Sequence, residues 1–101
     1  MLILPIKKKW FDMIKSGEKK EEYREIKPYY TSRFDNMTGN DIKIDYELDA
    51  VTFCVIFRNG YSRFSPELKC RCKLRTDFGK EKWGAEPNKK YYILDILEVI
   101  R

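Results

Sequence analysis

The chain has 101 residues, 43% hydrophobic and 15% aromatic, which is enough for one domain with its own core, spanning 1–101, and hardly enough for two. Charged residues make up 37% in mixed sign for a net charge of +5, a composition of folded surfaces rather than disordered tails. No apolar run approaches the ~20 residues of a membrane span, and histidine, the usual general base near neutral pH, is absent.

The opening Leu2-Ile3-Leu4 reads as a short strand, and Pro5 as a first helical residue. Ile6, Trp10 and Ile14 then recur at i, i+4, i+8 with Phe11 beside them, one apolar helix stripe that Gly17 stops. The apolar stretch before the lysines at 7–9 is too short for a signal peptide, so cytoplasmic residence is expected. Residues 19–25 read as a polar, extended edge. Pro28 to Phe34 reads as one or two helical turns anchored by Tyr29, Tyr30 and Phe34.

Asp35 to Asp41 is a loop of turn formers. Ile42, Ile44, Tyr46 and Leu48 alternate with mostly acidic neighbours, the pattern of a half-buried strand. Val51 to Phe57 is almost wholly apolar and predicts a central strand buried on both faces. Asn59-Gly60 predicts a two-residue hairpin turn, with a return strand starting at Tyr61. From Lys69 to Arg75, Cys70, Cys72 and Leu74 face inward. Lys69, Arg71, Lys73 and Arg75 face outward, roughly 6–7 Å apart. That spacing is comparable to successive phosphates, and it equally suits a solvated edge strand. Thr76 to Asn88 reads as a long loop carrying Trp83, and Tyr91 to Ile100 as a closing strand apolar on both faces. The expected fold class is α+β, with one main N-terminal helix and short flanking helices on a small mixed or antiparallel barrel.

Cys54, Cys70 and Cys72 read as small buried hydrophobes. Three thiols without histidine do not make a zinc site, so neither metal nor cofactor is expected. Charge is unevenly distributed: residues 1–33 carry net +4, 34–57 net −4 and 58–101 net +5. Basic blocks favour anionic partners, nucleic acid first.

The stretch Gly17-Glu18-Lys19-Lys20-Glu21-Glu22-Tyr23-Arg24 is the richest in chemistry. Glu22 and Arg24, two apart in a strand, share a face, so Glu22 can orient the guanidinium. Lys19 has the opposite parity and joins them only if the turn redirects it. Tyr23 and Trp83 are candidate stacking rings, and Lys20 and Arg58 candidate contacts to an anionic ligand. Salt-bridged surface is the alternative for the whole octet.

The Gly17-x-Lys19-x-x-Glu22-x-Arg24 pattern resembles the signature of ASCH domains, members of the PUA-like superfamily. The opening LPIKKKWFDMIKSGEKKEEYREIKPYY, the FRNGY segment and the WGAEP segment are similar to short single-domain bacterial and phage members, so the resemblance covers essentially the whole chain. It implies a PUA-like β-barrel, a cleft lined by the motif, and RNA or a nucleotide-like small molecule as ligand. One branch it resembles consists of amidohydrolases acting on N4-acetylcytidine, in which the motif lysine works with a threonine three residues on; here Glu22 stands at that position. Another branch is similar to small ribonucleases. The expectations are therefore a binding domain using Arg24, Tyr23, Lys20, Arg58 and Trp83, a small hydrolase with Lys19 and Glu22 catalytic, or a protein-interaction module.

Overall fold

The structure is a computed structural model that describes residues 1–100. Its elements are β1 (Leu2–Pro5), α1 (Lys8–Ser16), β2 (Glu21–Glu25), α2 (Pro28–Asp35), β3 (Lys43–Asp45), β4 (Ala50–Arg58), β5 (Glu67–Phe78), a 3-10 turn (Glu81–Trp83) and β6 (Lys90–Ile100). The strands form one curled mixed sheet of order β1-β4-β5-β6-β2, a half-barrel carrying two helices, with β3 paired to the first part of β4. β1 runs parallel to β4 and every other pairing is antiparallel. The ends of the sheet, β1 and β2, are unpaired with each other. Among the described residues no helix is long and apolar enough to cross a membrane.

The main core lies inside the curl. Leu2 and Leu4 of β1, Phe53, Val55 and Phe57 of β4, Leu68, Cys70 and Cys72 of β5, and Leu94 of β6 meet Phe11 and Ile14 of α1 and Phe34 of α2. Val55 and Phe57 are fully enclosed, each contributing roughly 1.5–3 kcal/mol by burial. β6 is apolar on both faces because it serves two cores. Leu94 enters the main one, and Tyr91 and Ile93 form a smaller cluster with Ala85 and Tyr23 on the other side.

Gly17 ends α1 as expected of a glycine after the apolar stripe, in the left-handed conformation (φ 87°), its N–H donating to the Ile14 carbonyl. Pro5 differs from expectation. It closes β1, where a strand at the sheet edge tolerates a missing N–H, and α1 begins only at Lys8. The row Ile42, Ile44, Tyr46 and Leu48 is not half-buried: all four are exposed and only three residues there pair with β4. The Asp45 carboxylate accepts the N–H groups of Glu47 and Leu48, both at 3.0 Å, and this turn ends the strand. β4 is central as expected, though Val51, opposite Ile44, is exposed.

The connection after β4 is a loop over residues 59–66 rather than a two-residue turn. The Asn59 N–H donates to the Pro66 carbonyl and closes a long-looped hairpin between β4 and β5, and the Asn59 side chain donates to the Ile6 carbonyl, tying the loop to the segment that follows β1. β5 runs on to Phe78, well into the expected loop, and it is interior to the sheet rather than an edge. Its row of cations is correspondingly half neutralised. Arg71 pairs with Asp41, and Arg75 with Asp95, Glu21 and Asp77. Tyr29, expected to anchor α2 in the core, is exposed beneath the Arg33 guanidinium.

All three thiols are free and fully buried. Burial pushes Cys70 up to about 12 and Cys72 higher still. The unfolded chain therefore releases these protons first, from about pH 9 upward, and stability falls as pH rises through that range. We expect unfolding free energy from urea titration to lose roughly 1 kcal/mol per pH unit for each thiol between pH 9 and 11. In Cys70→Ala and Cys72→Ala the slope against pH should be shallower, whatever the starting stability.

Candidate functional site: a buried charge cluster at the seam of the half-barrel

The two unpaired edges of the sheet are joined by side chains. In β2, Glu22 and Arg24 alternate into the interior, and Arg24 Nη2 donates both to Glu22 Oε2 at 2.7 Å and to the carbonyl of Pro5 in β1 at 2.8 Å. Glu22 Oε1 faces Lys19 Nζ at 3.1 Å. One carboxylate thus lies between two cations, and all three side chains are buried, Lys19 with only 1% of its surface exposed.

Lys19 arrives there through the turn. Its own N–H donates to the Met13 carbonyl at the end of α1, and this swings its side chain across to the interior despite its parity. Nζ donates to the Trp83 carbonyl and sits over two rings, 4.4 Å from the centre of Trp10 and 5.1 Å from that of Tyr23. Such a cage suits an ammonium ion. Burial nevertheless pulls its pKa below the ordinary lysine value, and Glu22 only partly offsets this. On Arg24 burial also opposes the charge, but Glu22 and Tyr30 outweigh it and the net shift is upward. Arg24 Nε is buried with no hydrogen-bond partner.

Above this cluster lies a cleft of about 650 Å³. Its charged floor is Glu22 and Arg24, and aromatic rings of Trp10, Tyr23, Tyr30, Tyr61 and Trp83 line it. Gly84 fixes one wall. Its left-handed backbone (φ 103°) caps the 3-10 turn, and a Cβ there would fall 2.9 Å from the Trp10 ring. Tyr23 is tied in place on both sides, donating to Glu21 at 2.8 Å and accepting the Lys80 N–H at 2.9 Å. Burial pushes its hydroxyl pKa well above the ordinary tyrosine value, so it stays protonated.

Of the residues singled out from the sequence, Lys19, Glu22, Arg24, Tyr23 and Trp83 come together. Lys19 lies beneath the cleft and is enclosed, whereas the other four line it. Lys20 and Arg58 are not among the lining residues. Lys20 is exposed, and its carbonyl accepts the Ile96 N–H; Arg58 is paired to Glu67, Nε to Oε2 at 2.6 Å. Trp10, Tyr30 and the Pro5 carbonyl are contributors that sequence reasoning assigned to packing or to chain direction. A half-exposed ring at the margin of a helical stripe looks like core, and a carbonyl leaves no mark in a sequence.

Compared with protein-family models, curated proteins and solved structures, the chain matches none of them.

The cluster makes Lys19 a stability residue whatever else it does. Lys19→Met leaves the Trp83 carbonyl and one Glu22 oxygen without their cation, and breaking a buried pair from one side costs roughly 3–5 kcal/mol. We expect a loss of that order by urea titration. The losses in Lys19→Met and Glu22→Gln should sum to more than the loss in the double variant, because the two groups share one interaction. A loss within the range of ordinary surface substitutions, about 0.5 kcal/mol, would show that the cluster does not hold the seam.

Proposed function

We propose that this cleft binds a nucleotide-like ligand, free or as a unit of RNA, and that the chain is a small PUA-like domain of the ASCH type. The observation that carries the reading is the buried cluster itself. Lys19 and Arg24 flank a single carboxylate, so the cluster is one positive charge in excess, and Arg24 keeps a buried donor without a partner. Uncompensated positive charge and an idle donor in a low-dielectric site are matched by a phosphate or a base carbonyl. Aromatic walls match the faces of a base. The volume falls within the ~300–1,000 Å³ of small-molecule sites. In this reading Arg24 makes the polar contact, Glu22 orients it, and Trp83 and Tyr23 wall the base.

Hydrolysis by Lys19 is the weaker alternative. A lysine that attacks or deprotonates must touch the reacting atom, and here Nζ is spent on the Trp83 carbonyl, on Glu22 and on two ring faces. Glu22 has both oxygens engaged by cations.

Titration with nucleoside 5′-monophosphates at low salt, followed by tryptophan fluorescence, tests the proposal. Stacking should quench Trp10 or Trp83, and Arg24→Met should weaken binding about tenfold or more, the range for a hydrogen bond to a charged group. Absence of binding, or binding indifferent to Arg24→Met in a folded variant, would overturn it. Incubation with N4-acetylcytidine should release no cytidine.

A further inference from the structure

We infer that the binding surface extends beyond the cleft on both sides and that its ligand is a single-stranded polynucleotide, with one nucleotide in the cleft and its neighbours outside. The inference rests on the cleft reading above and adds to it two subsites that the octet does not contain.

The first is the loop over residues 59–66. Gly60 and Tyr61 line the cleft, and beyond them Phe64 is 83% exposed with the Arg63 guanidinium 4.9 Å from its ring centre. Tyr61 is exposed to 91%. Two large rings thus stand in solvent on one loop beside a charged cleft, free to meet a ligand. An aromatic ring with a guanidinium beside it offers a face for a base and a charge for the adjoining phosphate.

The second lies around Trp10 and Trp83, on residues that do not themselves line the cleft. Lys9 Nζ lies 4.6 Å from the Trp10 ring centre, and Lys80 and Lys82 lie 4.6 and 4.7 Å from that of Trp83. These three lysines and Arg63 form no ion pair among the described residues. The rim lysines Lys27 and Lys89, by contrast, are paired with Glu25 and Glu86. Unpaired cations thus stand on both flanks of the cleft; on its rim Lys27 and Lys89 are paired, and among the described residues only the rim lysine Lys7 is not. A mononucleotide has one phosphate group and reaches neither flank. A chain with regularly spaced phosphates meets both, and pairing with these cations releases its counterions. The exposed rings favour unstacked single strands over duplex, whose bases are turned inward.

The test compares uridine 5′-monophosphate with a uridylate octamer and a deoxythymidylate octamer over a range of salt. The octamer should bind at least about tenfold tighter than the monophosphate, since one further base stacks. With three to four phosphates contacted, log K should fall with log salt at a slope of about −2 to −3. Phe64→Ala should weaken octamer binding roughly tenfold. Lys80→Gln with Lys82→Gln should flatten the salt slope by about 1.4. Neither change should alter monophosphate binding, because these residues lie outside the cleft. Equal binding of the two octamers fits recognition by phosphate and base face; tighter RNA binding adds a contact to the 2′-hydroxyl. If monophosphate binds and the octamers gain nothing, or gain without response to these variants, the extended surface is overturned and the cleft reading stands. If no probe binds, both are overturned.

Discussion

The structure depends on a carboxylate held between two cations. Glu22 lies between Lys19 and Arg24, and each cation is anchored by a backbone carbonyl at its far side, Trp83 for one and Pro5 for the other. Through three side chains the end of α1, the start of β2, the end of β1 and the 3-10 turn are fixed relative to one another. None of these segments is joined by sheet hydrogen bonds across this gap. A buried ion pair is weak evidence of stabilisation against an apolar alternative, because desolvation opposes it. What it does provide is position: a carboxylate with two partners has one place to be.

That position explains why a cleft exists. A sheet closed into a full barrel would fill this seam with main-chain pairing. Here β1 ends in Pro5, which lacks an N–H but leaves a carbonyl free, and Arg24 takes that carbonyl with a side chain instead of a strand. Side-chain bridging spans a wider gap than strand pairing, so space remains above it. The rings of Trp10, Tyr30 and Trp83 line that space without filling it, and Gly84 lets Trp10 lie against the backbone at the end of the 3-10 turn.

Where one local rule dominated, the sequence was legible. Gly17 stops α1, Pro28 opens α2, and the apolar runs of β4 and β6 mark the strands that pass through the core. The pairing within the octet was legible because alternation alone puts Glu22 and Arg24 on one face. It failed where tertiary partners decided. Ile42, Ile44, Tyr46 and Leu48 have the period of a buried strand, but burial requires a covering layer and none of the described elements covers them. The cations of β5 look like edge protection, and whether a strand is an edge depends on which neighbour returns to it, which alternation does not encode. Arg58 looks free beside a turn until Glu67 arrives across the sheet. Trp10 shows the same limit from the other side, since only the packing of the 3-10 turn's end at Gly84 against its ring makes a stripe residue part of the cleft lining.

The geometry also links occupancy of the cleft to integrity of the fold. With the cluster one positive charge in excess and Arg24 Nε unsatisfied, the seam carries an electrostatic cost that the rest of the sheet must offset. An anionic group or carbonyl meeting Arg24 removes part of that cost while leaving Glu22 and Pro5 in place. A ligand that binds only the folded chain stabilises it in proportion to the logarithm of its concentration over its dissociation constant. In this fold the stabilisation would be felt first where main-chain pairing is missing, between β1 and β2. On the proposed reading, the open seam is therefore the part of the sheet with most to gain from holding a ligand.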